Sequence, residues 1–143
     1  MFNPDDFMSM TVDAPMDTTV KPIDEGEYSA LIDKAVPKVT NGGSALLEVF
    51  FKIDDPSNEE AHERTVRYTC WLDTTEAGGL DMGKGKNVQL GRLRAAVGQN
   101  VSGQAWSPGL LAGNVCMISV KQRPDKDDPQ IVYNDVKSVA ALG

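Results

Sequence analysis

The sequence predicts a mainly β protein: a five-stranded Greek-key barrel of the OB type with one helix between its third and fourth strands, preceded by an acidic N-terminal arm. Three observations point there. The chain has 143 residues, the length of one domain, and its 41% apolar and 24% charged residues fall in the ordinary globular range. Its ordered-looking segments run as three strands, a helix and two strands. The first 25 residues hold six acids against one base, with no sustained periodicity, and so separate as residues 1–25 from a barrel domain at 26–143.

The first strand, Glu27 to Val39, follows the turn signal Asp24-Glu25-Gly26 and ends in Thr40-Asn41-Gly42-Gly43, a strong hairpin cluster. In the second, Ala45 to Ile53, strict alternation puts Leu47, Val49, Phe51 and Ile53 toward a core and Leu46, Glu48, Phe50 and Lys52 outward. The third, Thr65 to Asp73, turns Val66, Tyr68, Cys70 and Leu72 inward and Thr65, Arg67, Thr69 and Trp71 outward. Asn87 then reads as the N-cap of a helix with Leu90, Leu93 and Val97 on one face and Gly98 as its stop. Val115 to Arg123 and Ile131 to Val139 complete the set, joined by a charged turn. A meander barrel or an α+β sandwich shares this order of elements. In the OB barrel the helix would plug one end.

The net charge of −7 argues against a protein that coats nucleic acid by bulk positive charge, until the charge is divided along the chain. The arm carries −5, and a loop with Asp54, Asp55, Glu59, Glu60 and Glu63 carries another five acids and no base. Between Arg64 and Arg94 there are six bases against three acids. The barrel body is therefore modestly basic between detachable acidic segments.

Catalytic chemistry finds no constellation. Gly78, Gly83 and Lys84 approach a phosphate loop, but Gly85 stands where a Ser or Thr must hold magnesium, and no apolar strand leads into the loop. A flexible basic loop ahead of a helix N-terminus is the better reading of Lys84 and Lys86. Asp125-Lys126-Asp127-Asp128 is followed by Pro129 rather than by the glycine of a calcium loop. The single histidine, His62, and two widely spaced cysteines, Cys70 and Cys116, make neither a zinc site nor a triad. The expectation is a protein that is not an enzyme and carries no cofactor or metal. The acidic start MFNPDDFMSM is unlike a secretory signal, and the uncharged stretch Ala95 to Val120 is broken by Gly, Asn, Gln and Pro, so a soluble intracellular protein with no membrane span is expected.

What remains is a face. If the second and third strands are neighbours, Phe50, Lys52, Arg67 and Trp71 share the outer surface, two rings beside two cations. Large aromatics exposed on a sheet are uncommon unless they bind something, and nucleic-acid bases stack on such rings. The flanking loops add Lys38 on one side and Arg123 and Lys126 on the other, and Tyr133 follows. The competing reading makes Phe50 and Trp71 a second small core under the arm or under the Trp106 loop.

The opening FNPDD, Asp24-Glu25-Gly26-Glu27-Tyr28, the segment QLGRLRAAVG (Gln89 to Gly98) and the pair Val120-Lys121-Gln122-Arg123 and Tyr133-Asn134-Asp135-Val136-Lys137 together resemble a family of phage-encoded single-stranded-DNA-binding proteins with an OB fold. The resemblance implies sequence-tolerant binding of single-stranded DNA in phage replication and recombination, in the host-cell cytoplasm. Phe50, Trp71 and Tyr133 would stack on bases; Lys38, Lys52, Arg67, Lys84, Lys86, Arg94, Arg123 and Lys126 would meet phosphates. Many such proteins end in an acidic tail, whereas this chain ends in the neutral VAALG and carries its acids at the start. The arm would then compete with DNA for the basic face, or present Phe2 and Phe7 to a replication or recombination protein. The alternative is a structural or assembly protein, a small β-barrel virion component whose outward aromatics form a subunit interface. Either role is compatible with a homo-oligomer.

Overall fold

A computed structural model describes residues 1–142. Five strands, β1 (Gly26–Val39), β2 (Ala45–Ile53), β3 (Thr65–Trp71), β4 (Val115–Pro124) and β5 (Val132–Ala140), close into a barrel in the order β1-β2-β3-β5-β4. That order is not a meander, because β5 sits between β3 and β4 and β4 returns to β1. Two helices, α1 (Pro4–Met8) and α2 (Val88–Ala96), and a 3-10 turn at Pro108–Leu110 complete the elements.

β1 is long enough to serve two partners. Its first half pairs with β4 (Gly26 with Val120 to Leu31 with Val115), and from Ala30 onward it pairs with β2. A bulge between Ile32 and Lys34 leaves Asp33 unpaired and reverses which side the following residues face. The β1–β2 hairpin closes on Thr40, whose carbonyl accepts from the Gly43 amide at 2.9 Å and whose Oγ1 accepts from the Ser44 amide at 3.1 Å. Gly43 has φ +89°, which a side chain would resist.

Of the expected inward set of β2 and β3, Leu47, Val49, Phe51, Ile53, Val66, Tyr68 and Cys70 are buried, together with Ala30, Ile32, Cys116, Ile118, Val120 and Val136, whereas Leu72 lies just past the end of β3 and is half-buried. α2 adds Leu90, Leu93 and Ala96 and packs against β3 and β5. It ends in a Schellman motif: the Gly98 amide donates to the Ala95 carbonyl and the Gln99 amide to the Arg94 carbonyl, with Gly98 at φ +72°.

The helix start differs from expectation. Asn87 does not cap α2 with its side chain; it adopts φ 53° and binds back to the loop. Its Oδ1 accepts from the Asp73 amide at 2.8 Å, its Nδ2 donates to the carbonyls of Asp73 and Asp81, and its own amide donates to Asp73 Oδ2 at 2.8 Å. The segment expected to be a flexible basic loop is thus pinned at both ends.

Most of the arm is exposed, and none of α1 is buried. α1 is nevertheless a defined turn, with Asn3 Oδ1 accepting from the Asp5 amide at 2.9 Å. The barrel takes hold of the chain at Ile23, which is 2% exposed. Its amide donates to Asn134 Oδ1 at 2.8 Å, and its carbonyl accepts from Gln122 Nε2 and Asn134 Nδ2, each at 3.0 Å.

Candidate nucleic-acid interface

The outer surface of β1, β2 and β3 is laid out in rows by the strand registers. Lys38, Leu46 and Trp71 form one row; Val36, Glu48 and Thr69 the next; Lys34, Phe50 and Arg67 the third. Arg67 is then the single point where β3 pairs with β5, opposite Asp135 in parallel register. From there the contacts continue on β5 and β4. Arg123 Nε donates to Asp135 Oδ2 at 2.5 Å, and its guanidinium lies 4.9 Å from the centre of the Tyr133 ring. The Asp135 carboxylate pushes the Arg123 pKa up, so its charge is secure at every working pH.

This sequence of contacts borders a groove of about 900 Å³. Phe50, Arg64, Arg67, Arg123 and Tyr133 line it together with Asp125 and Asp135, and Thr19 and Val20 of the arm form part of its wall. Two rings and three guanidinium groups on one concave surface suit a flexible polyanion with flat bases: the rings offer stacking faces and the arginines reach phosphates.

Four of the expected residues, Phe50, Arg67, Arg123 and Tyr133, are brought together here. Lys52 is exposed beside them, opposite Thr65. Lys126 is exposed in the β4–β5 turn. Trp71 and Lys38 flank Leu46 at the far end of the same face, with Trp71 51% exposed. Neither Phe50 nor Trp71 joins the buried cluster: Trp71 is exposed, and Phe50 is half-buried in the groove that Thr19 and Val20 of the arm also line. Lys84 and Lys86 are exposed on the loop before α2, away from the groove residues, with Lys86 lining a separate hollow. Arg94 is engaged internally: its guanidinium stacks 4.5 Å from the Trp106 ring centre and donates to the Gln99 carbonyl at 3.0 Å.

Two outward residues are covered. Leu46 is buried between the flanking Lys38 and Trp71, and Glu48 is only 8% exposed. Glu48 lies between two cations, with Oε2 3.0 Å from Lys38 Nζ and Oε1 3.4 Å from Arg67 Nη1. Two further cations belong to the face that alternation alone does not reveal. Lys34 sits 5.0 Å from the centre of the Phe50 ring, turned outward by the Asp33 bulge. Arg64 enters from the loop before β3.

Among the described residues no group of three or more His, Cys, Asp or Glu side chains could hold a metal ion, and no helix is long and apolar enough to cross a membrane. No protein-family model and no curated protein matches this sequence.

Proposed function

We propose that the chain is an OB-type barrel that binds single-stranded DNA with little sequence preference, without catalysis, in phage replication or recombination. The observation that carries this reading is the meeting of Phe50, Arg67, Arg123 and Tyr133 in one groove across β2, β3, β4 and β5. The five-strand barrel, with α2 between β3 and β4 in the chain, agrees with the OB layout, whose second and third strands and flanking loops hold oligonucleotides. The resemblance to phage proteins supplies the biological setting, including action in the host cytoplasm beside other replication proteins.

In this reading the strand runs across the rows. Phe50 and Tyr133 stack on bases in the groove, and Trp71 extends the platform. Arg64, Arg67, Arg123, Lys34 and Lys52 meet phosphates, with Lys38 and Lys126 at the two ends. Arg94 serves the Trp106 loop instead. Sequence tolerance follows because a π-face is common to every base and the cations address only the backbone.

A fluorescence titration with an unstructured oligothymidylate at rising salt tests it. Binding at low salt should weaken linearly in log–log form as salt rises, because counterions released into a more concentrated solution gain less entropy. No binding at low salt ends the proposal. Assembly into large particles without DNA would favour the virion-component reading instead.

A further inference from the structure

A second hollow of about 450 Å³ lies between the loop before α2 and the helix itself, with Asn87 of the Asp73–Asn87 clasp among its lining residues. Its apolar members include Leu80, Met82 and Val88, all exposed, with Met82 at 79%. Lys86 and Arg92, both exposed, also line it. Arg94 adds a third cation against the single acid Asp81. The DNA reading makes no use of this surface, which is open and lined by both apolar and basic side chains.

The chain carries a segment of the opposite character. Around α1, Phe2, Phe7, Met8 and Met10 are all more than half exposed, and Asp5 and Asp6 occupy the first turn. The turn is already shaped. Asn3 caps it, Pro4 opens it, and the Phe2 and Phe7 rings lie 5.6 Å apart. A preformed ligand loses less entropy on docking than a disordered one. α1 buries no residue on its own barrel and lines no part of this hollow. The stretch from Ser9 to Thr18, which precedes the groove wall at Thr19, has a reach of about 35 Å, against a radius of gyration of about 14 Å for a chain of this length. The arm can therefore reach a neighbouring molecule.

We infer that α1 of one copy docks in the α2 hollow of a second copy, with Phe2 and Phe7 against Leu80, Met82 and Val88 and Asp5 and Asp6 facing Lys86 and Arg92. The two surfaces differ, so each copy offers both an arm and a hollow and can contact two neighbours at once. Combined with the DNA reading, on which this consequence alone rests, neighbouring copies would load cooperatively along a strand.

Sedimentation velocity without DNA, over a wide concentration range at low salt, tests the contact on the intact chain. Wild type should associate with rising concentration, and the association should weaken at least tenfold with Phe2→Ala/Phe7→Ala. Asp5→Lys/Asp6→Lys alone and Lys86→Glu/Arg92→Glu alone should each weaken it similarly. All four charged positions are exposed, so folding is not at risk. Mixing the two charge-reversed chains should restore association, because the reversed arm now matches the reversed hollow. A monomer at every concentration, including one in which the arm folds onto its own hollow, would overturn the inference. So would association indifferent to either reversal. Failure of oligonucleotide binding with this association intact would sink only the DNA reading.

Discussion

Glu48 holds Arg67 across the β2–β3 pair, Oε1 to Nη1 at 3.4 Å, while its other oxygen holds Lys38 at 3.0 Å. An almost buried carboxylate thus sets the position of two cations on the face proposed to bind DNA and also screens them. Glu48→Gln should keep hydrogen bonding while releasing charge. Oligonucleotide affinity at low salt should rise several-fold, and the log–log salt slope should steepen by about 0.7 for each additional phosphate that a freed cation neutralises. Stability should change by about 1 kcal/mol or less, because both cations are roughly half exposed. An unchanged slope would mean that neither cation meets a phosphate.

The aromatic residues should behave as ligands rather than as core. Phe50→Ala combined with Tyr133→Ala is expected to weaken oligonucleotide binding by about 1–3 kcal/mol per stacked base, with the far-ultraviolet spectrum unchanged. Trp71→Ala should cost less, because it stands at the end of the platform. Tryptophan emission gives an independent reading: Trp71 is 51% exposed, whereas Trp106 is half-buried under Arg94, so quenching by DNA should vanish in Trp71→Phe. Quenching that survives this change would place the strand elsewhere.

The barrel is legible in the sequence because β3 and the first half of β4 alternate between core and surface, as a half-buried strand requires, and β2 keeps that period on its inward side although Leu46 and Glu48 on the other side are covered. Lys34 is not legible. Counting by twos from Ile32 places it inward, and only the Asp33 bulge, a consequence of one strand serving two partners, turns it toward Phe50. Glu48 escapes for a related reason: its burial comes from Lys38 and Arg67 on two other strands, and registers between strands are tertiary facts. Arg94 looks like a free cation because the residue that engages it, Trp106, lies twelve positions downstream in an uncharged loop. Asn87 is a sound N-cap by residue type, yet Asp73 offers its side chain and amide a better set of partners.

The arm should modulate the groove as well as extend from it. Thr19 and Val20 stand in the groove wall, and Lys21 is tied to Glu60 at 3.2 Å, so the acidic segment before them leaves the barrel beside Arg64 and Arg67. Deleting residues 1–20, which keeps the Ile23 anchor, should raise oligonucleotide affinity at low salt and have little effect at high salt, where the arm's charge is screened. Ile23→Ala should act differently: loss of a fully buried side chain costs about 2–5 kcal/mol in unfolding titrations. Equal affinity with and without residues 1–20 would leave the arm only its protein contacts.

The two thiols contribute to the behaviour at alkaline pH beside Tyr28 and Tyr68, whose hydroxyls burial also pushes up. Burial pushes Cys70 up to about 12 and Cys116 up to about 11, from the usual 9. A thiol with a raised folded pKa contributes stability that is complete below its unfolded value and is lost as pH climbs toward the folded value. Denaturant midpoints should therefore hold steady up to about pH 8.5 and fall progressively from about pH 9 to 12. Cys70→Ala/Cys116→Ala should lower the neutral midpoint by opening cavities but make this alkaline fall shallower, leaving the share of Tyr28 and Tyr68. Alkylation by iodoacetamide at pH 8 should be negligible in the folded chain and complete on unfolding, since the thiolate is the reactive form. Rapid alkylation of the native protein would show that β3 or β4 opens far more often than a closed barrel allows.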